Sequence, residues 1–186
     1  MNESLILSQT GQDVSPVEAP STGRAWQQSL RQAIRDPREL CRLLELPAEY
    51  EAAALRAAET FGLFAPRGYV ERMCRGDPHD PLLRQVLPLA EELAQTPGYA
   101  ADPVDDAAAT LRAGLLQKYH GRALMVTTGA CAVHCRYCFR RHYPYSEGPR
   151  SLAEWEPALE RLAADSSIEE VLLSGGDPLT LVDSWL

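Results

Sequence analysis

The spacing of apolar residues predicts that the first half of the chain is helical. Trp26, Leu30 and Ile34 recur at helical spacing, which predicts an amphipathic helix over about 24–35. Prolines and glycines then interrupt the pattern at short intervals, as expected at the boundaries of short helices. The further helices predicted between these boundaries cover 37–46, 48–61, 66–75 and 81–87.

In the second half the pattern changes to an alternation of strand and helix. The apolar run 123–128 predicts a buried strand, and 168–174 predicts a second one. Between them, a Ser-Leu-Ala-Glu capping box opens a helix over 151–164. This order is a βαβ unit, which implies parallel strands joined by a right-handed crossover. Residues 115–122 are interpreted as a compact polar cluster before the first strand, and Leu179 begins another helical pattern.

Composition limits the class of protein and its compartment. Of the 186 residues, 45% are hydrophobic, which suits one domain or slightly more. The chain has no apolar run of about 18 residues and no secretory signal pattern, so we expect a cytoplasmic protein that does not enter a membrane. The predicted organisation is a flexible tail at 1–22, a helical module and connector at 23–112, and an α/β domain at 113–186. The connector itself is expected to be a loop-rich stretch over 88–112.

The net charge of −8 is unevenly distributed along the chain. Residues 112–150 carry seven Lys or Arg against one acid, whereas the rest of the chain is strongly acidic. A basic region can bind nucleic acid, but it can equally form a pocket for a carboxylate or a phosphate. Because this region coincides with a cysteine-rich loop, we expect a small anionic cofactor or substrate and no nucleic acid.

Three of the five cysteines, Cys131, Cys135 and Cys138, are spaced C-x3-C-x2-C directly after the first predicted strand. Three thiolates are one short of a closed zinc site or a fully ligated iron–sulfur cluster, which would leave one metal position open. Spacing alone favours an iron–sulfur cluster, with a zinc site completed by His134 or His142 and a redox thiol pair as alternatives. The remaining two cysteines lie in helical-looking sequence and are expected to be small buried hydrophobes; these are Cys41 and Cys74.

The cysteine motif with Tyr137 before its last cysteine, together with the strand that ends in Gly175-Gly176-Asp177, resembles radical S-adenosylmethionine (SAM) enzymes. The resemblance implies a partial βα barrel of which this chain would contain the first units, behind its helical module. It implies that the three cysteines hold a 4Fe–4S cluster whose fourth iron is chelated by SAM. It further implies that the Gly-Gly-Asp turn binds the SAM amine and that Tyr137 lines the adenine side.

The segments 80–88, 118–122 and 139–145 resemble the lysine 2,3-aminomutase family, and most closely its elongation factor P β-lysylation branch. The resemblance implies an isomerase that converts free L-lysine to β-lysine with pyridoxal phosphate (PLP), and a product passed on towards modification of elongation factor P. By position, the residues that approach PLP are Lys118, Tyr119 and Arg122, and the residue that binds the substrate carboxylate is Arg140.

Two departures from the family pattern matter. The family usually has arginine where Lys118 stands, and Lys118 is the only lysine in the chain, so no residue matches the lysine that would hold PLP. We therefore expect the chain to be the front portion of a longer protein. A catabolic lysine or glutamate 2,3-aminomutase, an inactive iron–sulfur-binding fragment and association into a homo-oligomer are left open.

Overall fold

The computed structural model describes residues 25–182, so the tail predicted at 1–22 lies outside the described residues. Short helices form the first part of the described chain and two 3₁₀ turns follow them. The helices are α1 (Ala25–Arg31), α2 (Pro37–Leu43), α3 (Ala48–Ala58) and α4 (Arg67–Val70), and the turns cover Leu83–Gln85 and Ala90–Leu93. They share one core whose most buried members include Ile34, Leu40, Ala54, Leu83 and Leu87.

All four helices end before their predicted boundaries, α2 at Leu43 and α3 at Ala58, and the helix predicted over 81–87 is only the 3₁₀ turn Leu83–Gln85. Ile34 exchanges hydrogen bonds with Ala65, at 2.8 and 3.0 Å, so the helix predicted over 24–35 ends at Arg31. The helix predicted over 66–75 ends at Val70.

The chain then turns, and the N–H of Cys74 donates to Asp80 Oδ2 at 3.0 Å. Cys74 is exposed in this turn, which corrects the prediction that it is buried, whereas Cys41 is buried as predicted.

The second part of the described chain is a four-stranded sheet in the order β1-β2-β3-β4. The strands are β1 (Thr110–Arg112), β2 (Leu115–Tyr119), β3 (Arg122–Thr128) and β4 (Glu170–Gly175), with helices α5 (Asp106–Ala109) and α6 (Leu152–Ala163). β3 and β4 pair in parallel and are connected by α6, which confirms the βαβ unit and the α/β class. β1 pairs with β2, and β2 with β3, in antiparallel fashion.

The hairpin of β1 and β2 corrects two predictions. Residues 115–119 form a strand rather than a polar cluster, and the predicted connector contains α5 and β1. Leu115 packs under α6 and Leu116 lies on the opposite face of the sheet, so both are buried. Adjacent buried residues do not show the alternation of a strand that has one exposed face.

Helix α6 covers one face of the sheet. Ser151 caps it by accepting a hydrogen bond from the N–H of Glu154 at 3.3 Å, as the capping box predicts. Trp155 and Ala158 pack on Leu115, Ala123 and Met125. After β4 a short 3₁₀ turn covers Pro178–Thr180, where a longer helix was predicted from Leu179 onwards, and residues 183–186 lie outside the described residues. None of the described helices has both the length and the apolar character needed to cross a membrane.

We predict that Gly114→Ala destabilises the protein by about 2–4 kcal/mol, because Gly114 has a φ of +74° and an added Cβ would lie 2.6 Å from the Trp155 ring. Urea denaturation followed by tryptophan fluorescence measures the loss. Gly68→Ala is the matched control, since a Cβ at Gly68 meets nothing within 4 Å. Equal stability of the Gly114 and Gly68 variants would contradict this packing.

Candidate functional site

The three motif cysteines lie on the loop that leaves the carboxyl end of β3. All three are free and half-buried. Burial, together with smaller effects of the nearby Cys138, Asp177 and Cys135 groups, raises the pKa of the Cys131 thiol to about 11. The donor set fits an iron–sulfur cluster, because sulfur is the donor that such clusters take from proteins. Within residues 25–182, no three His, Cys, Asp or Glu side chains converge on one point at metal-binding distance, so the three thiols share one loop but do not form a closed site.

The Gly-Gly-Asp turn at the end of β4 is hydrogen-bonded directly to the start of this loop. The N–H of Gly176 donates to the Thr128 carbonyl at 2.6 Å, and the N–H of Asp177 donates to the Ala130 carbonyl at 2.7 Å. A Cβ on Gly175 would lie 2.2 Å from the Thr128 oxygen, and one on Gly176 would lie 2.1 Å from the Ala130 oxygen. Both positions therefore require glycine, because the backbone of the turn is in contact with the backbone at the start of the cysteine loop. The contact places the turn beside the first cysteine.

The helical module holds the other side of the cysteine loop. The N–H of His134 donates to the Phe64 carbonyl at 2.9 Å, and the N–H of Arg136 donates to the Gln85 carbonyl at 2.8 Å. The His134 ring stacks on Phe61 with centroids 4.9 Å apart, and its Nδ1 lies 2.9 Å from the Gly62 carbonyl oxygen. Burial lowers the pKa of His134. This histidine thus has a structural role in joining the loop to the module.

A partly buried carboxylate, Glu92, holds the same loop on both sides of Cys138. Arg136 donates through Nε and Nη2 to the two Glu92 oxygens at 2.9 and 2.7 Å, and Arg141 lies 2.6 Å from one of them. Burial alone would raise the pKa of Glu92, but the hydrogen bonds from Arg136 and the Leu89 N–H lower it below its usual range. The sequence showed only an acid within a loop-rich connector, so this residue was not predicted.

The four residues assigned to PLP and the substrate carboxylate lie around one cavity. The cavity has a volume of about 430 Å³ and lies on the sheet face opposite α6. Leu124 and Leu172 form part of its apolar wall, on neighbouring parallel strands. The polar residues that line it include Lys118, Tyr119, Arg122 and Arg140. The structure thus brings these four predicted residues together, although they come from β2, β3 and the cysteine loop.

Each cation of this cavity is paired with a carboxylate. Asp106 lies 2.8 Å from Lys118 and 2.7 Å from Arg140, and Arg122 pairs with Glu170. Burial alone would raise the pKa of Asp106, but hydrogen bonds from Arg140 and Lys118 lower it. Asp106 is a further residue that the sequence did not single out, since an acid in an acidic stretch carries no distinguishing pattern.

The two tyrosines assigned to cofactors are the most exposed of the predicted residues. Tyr119 is 69% exposed at the rim of the cavity, and Tyr137 is 70% exposed. The Tyr137 hydroxyl lies 3.4 Å from Gln85 Oε1, so this residue also contacts the helical module. Both rings therefore have one face available to a ligand.

Comparison with known proteins agrees with this geometry. Residues 125–185 match the model of the radical SAM superfamily. The chain is 46% identical over 165 residues to L-lysine 2,3-aminomutase of Escherichia coli (strain K12), a match that covers 87% of this chain and 48% of that protein. It is 41% identical over 164 residues to the Haemophilus influenzae L-lysine 2,3-aminomutase, with 87% and 48% covered. The Clostridium subterminale enzyme of the same name is 27% identical over 162 residues, with 87% and 39% covered.

The matched residues contain both the cysteine motif and the Gly-Gly-Asp turn, which confirms the resemblance of these motifs to radical SAM enzymes. The similarity to the L-lysine 2,3-aminomutases confirms the second resemblance seen in the sequence. The chain spans about half the length of the curated relatives it matches. A radical SAM domain implies a 4Fe–4S cluster and SAM, and the similarity to these aminomutases implies PLP.

We predict that Glu92→Gln destabilises the protein by about 3–5 kcal/mol at pH 7, because it leaves the buried Arg136 and the partly buried Arg141 without their carboxylate. A carboxyl whose pKa is lowered on folding stabilises above its unfolded pKa, and this stabilisation is lost as the pH falls through the folded value. The difference between Glu92→Gln and the unsubstituted protein should therefore shrink below about pH 4.

Urea denaturation at pH 7 and at lower pH measures this difference. Glu91→Gln is the matched control, because Glu91 is the exposed neighbour in the same 3₁₀ turn. A pH-independent difference, or equal losses in the two variants, would contradict an ionised clamp at Glu92.

Proposed function

We propose that the protein to which this chain belongs is a radical SAM L-lysine 2,3-aminomutase, an isomerase that makes β-lysine for the modification of elongation factor P. The observation that carries the proposal is the cavity in which Lys118, Arg122 and Arg140 meet, close to the loop of the three cysteines. Three cations around one apolar-walled cavity suit a ligand with a phosphate and a carboxylate. The relatives named L-lysine 2,3-aminomutase support the substrate.

The cysteine loop would hold the cluster through Cys131, Cys135 and Cys138, with the fourth iron left to SAM. The Gly175-Gly176-Asp177 turn would receive the SAM amine, because its backbone is held against the start of the cysteine loop. Tyr137 would lie along the adenine. When bound, the cluster and SAM supply the radical that starts the reaction, and PLP carries the migrating amino group.

The cavity residues would bind and orient PLP and the amino acid. Arg140 would hold the substrate carboxylate, since a guanidinium presents paired donors that match the two carboxylate oxygens. Lys118 and Arg122 would attract the phosphate, and Tyr119 would pack at the rim. The apolar wall of Leu124 and Leu172 would keep water from the reacting atoms.

The elongation factor P branch is proposed on the residues after the last cysteine. Phe139 and the Arg-Arg-His-Tyr-Pro-Tyr run over 140–145 support it. A catabolic lysine or glutamate 2,3-aminomutase is the alternative, because Arg140 would serve the carboxylate of any amino acid. We propose that the protein works in the cytoplasm, where its free thiols stay reduced.

We predict that the protein reconstituted without oxygen binds about four irons and about four sulfides per chain. Cys131→Ala, Cys135→Ala and Cys138→Ala should each abolish this binding, measured by iron and sulfide analysis and by the visible spectrum. Cys74→Ala is the control, because that thiol is exposed and lies outside the loop. Stoichiometric zinc in a colourless protein, lost in the same three variants, would contradict the proposal.

We predict that the complete protein, given SAM, PLP and a reductant, converts L-lysine to β-lysine. Arg140→Lys should lower kcat/KM for L-lysine about 10- to 100-fold, since a hydrogen bond to a charged group contributes about 1.5–3 kcal/mol. Chromatography of derivatised amino acids measures both isomers.

Arg112→Lys is the matched control for this substitution, because Arg112 is exposed and hydrogen-bonds only to the adjacent Leu111 carbonyl within the described chain. Turnover of glutamate without turnover of lysine would reject the proposed substrate and favour the alternative.

A further inference from the structure

Asp106 is the first residue of α5, and hydrogen bonds fix its backbone. It is 4% exposed, which is rare for a carboxylate unless it is paired. The carboxylate of Asp102 accepts hydrogen bonds from the N–H groups of Asp106 and Ala107 at 3.0 and 2.9 Å. These two bonds fix the backbone from which the Asp106 side chain projects, so its position does not depend on the cations that it contacts.

The two oxygens of this carboxylate are divided between two cations. Oδ2 accepts from Arg140 Nε at 2.7 Å, and Oδ1 lies 2.8 Å from Lys118 Nζ. Lys118 also donates to the carbonyl of Val104. Lys118 belongs to β2 and Arg140 to the cysteine loop, so one side chain joins two elements that no strand pairing connects.

The contact leaves Arg140 with donors for another anion. Its Nε is used by Asp106 and its Nη1 donates to Ser174 Oγ at 2.8 Å, near the carboxyl end of β4. No hydrogen bond from Nη2 to another part of residues 25–182 is found. The guanidinium is thus held through Nε and Nη1, while both hydrogens of Nη2 and the second hydrogen of Nη1 remain for an incoming anion.

We infer that Asp106 is a positioning residue that holds Arg140 and Lys118 on one carboxylate and so sets the distance between the two anion-binding ends of the cavity. One negative charge against two positive ones leaves an excess positive charge for an incoming anion. Without Asp106 the two cations would repel each other and separate. The inference rests on the proposed function for the identity of the two anions, but the shared carboxylate does not depend on it.

The first arm of the test needs no cofactor. Lys118 is acetylated in the complete protein free of PLP, and the peptide that contains it is quantified by mass spectrometry. In Asp106→Asn, Lys118 should be acetylated several-fold faster than in the unsubstituted protein, because a carboxylate no longer holds the Lys118 amine. Asp106→Glu, which keeps the charge, should restore slow acetylation. Asp105→Asn is the matched control, since Asp105 is the exposed neighbour and already has the positive φ that asparagine tolerates.

Acetylation of Lys118 at the unsubstituted rate in folded Asp106→Asn would overturn the inference. Fast acetylation of Lys118 in folded Asp106→Glu would overturn it too. Circular dichroism and thermal unfolding establish that each variant is folded. If Asp106→Asn does not fold, the inference is tested by the acetylation rate of Lys118 in the unsubstituted protein and in Asp106→Glu. Slow acetylation of Lys118 in both, relative to the urea-unfolded chain, supports the shared carboxylate, and an equal rate overturns it.

The second arm separates this inference from the proposed function. In the loaded protein, Asp106→Asn should raise KM for L-lysine about tenfold, the effect of misplacing one charge-assisted hydrogen bond, with a smaller change in kcat. Asp106→Glu should recover part of this loss. Turnover by the unsubstituted protein with an unchanged KM in Asp106→Asn would overturn the positioning role and leave the function standing. If Lys118 of Asp106→Asn is acetylated fast but the unsubstituted protein turns over no lysine, the proposed function is rejected and the shared carboxylate stands.

Discussion

The parallel pairing of β3 with β4 brings the cysteine loop and the Gly-Gly-Asp turn to the same edge of the sheet. The carboxyl ends of adjacent parallel strands always meet at one edge, so two motifs about 40 residues apart in sequence become neighbours. The approach is close enough that backbone touches backbone, and only glycine fits at Gly175 and Gly176. The distance between the proposed cluster and the proposed SAM amine site is thereby set by main-chain hydrogen bonds, which are the least adjustable contacts in a protein.

The helical module has a direct part in shaping the site. It supplies the Phe61–Phe64 segment and Glu92, which together hold the cysteine loop from the side opposite the sheet. A loop of this length has many conformations in isolation, and ordering it costs conformational entropy. The ion pairs of Glu92 and the stacked ring of His134 offset part of that cost.

The basic region of the sequence is largely an internal ion-pair system. Five of its seven cations pair with carboxylates outside the region, with Glu92 and Asp106 before it and Glu170 after it. Such carboxylates keep guanidinium groups in fixed orientations, since each bond is directional and charge-assisted. At the cavity, three cations face two carboxylates, which leaves one net positive charge there.

Much of the candidate site could be predicted from the sequence because its signals are local. The cysteine spacing, the strand that precedes it, the capping box of α6 and the Gly-Gly-Asp turn all depend on residues a few positions apart, and the comparisons agree with the family that these motifs resemble. The short hairpin of β1 and β2 escaped prediction, since β1 has only three residues and β2 begins with two adjacent buried residues, which gives no alternation to detect.

The ion pairs of the site were decided by the tertiary structure alone. Arg136 meets Glu92 across 44 positions, Arg140 meets Asp106 across 34, and Arg122 meets Glu170 across 48. With 26 acidic residues in the chain, nothing in their local sequence distinguishes these three. A carboxylate meets so distant a partner only when the fold brings the two groups together, and at Arg140–Asp106 burial also makes an unpaired charge costly. The sequence therefore determined which residues could perform the chemistry, and the packing of the module against the sheet decided which residues hold them in place.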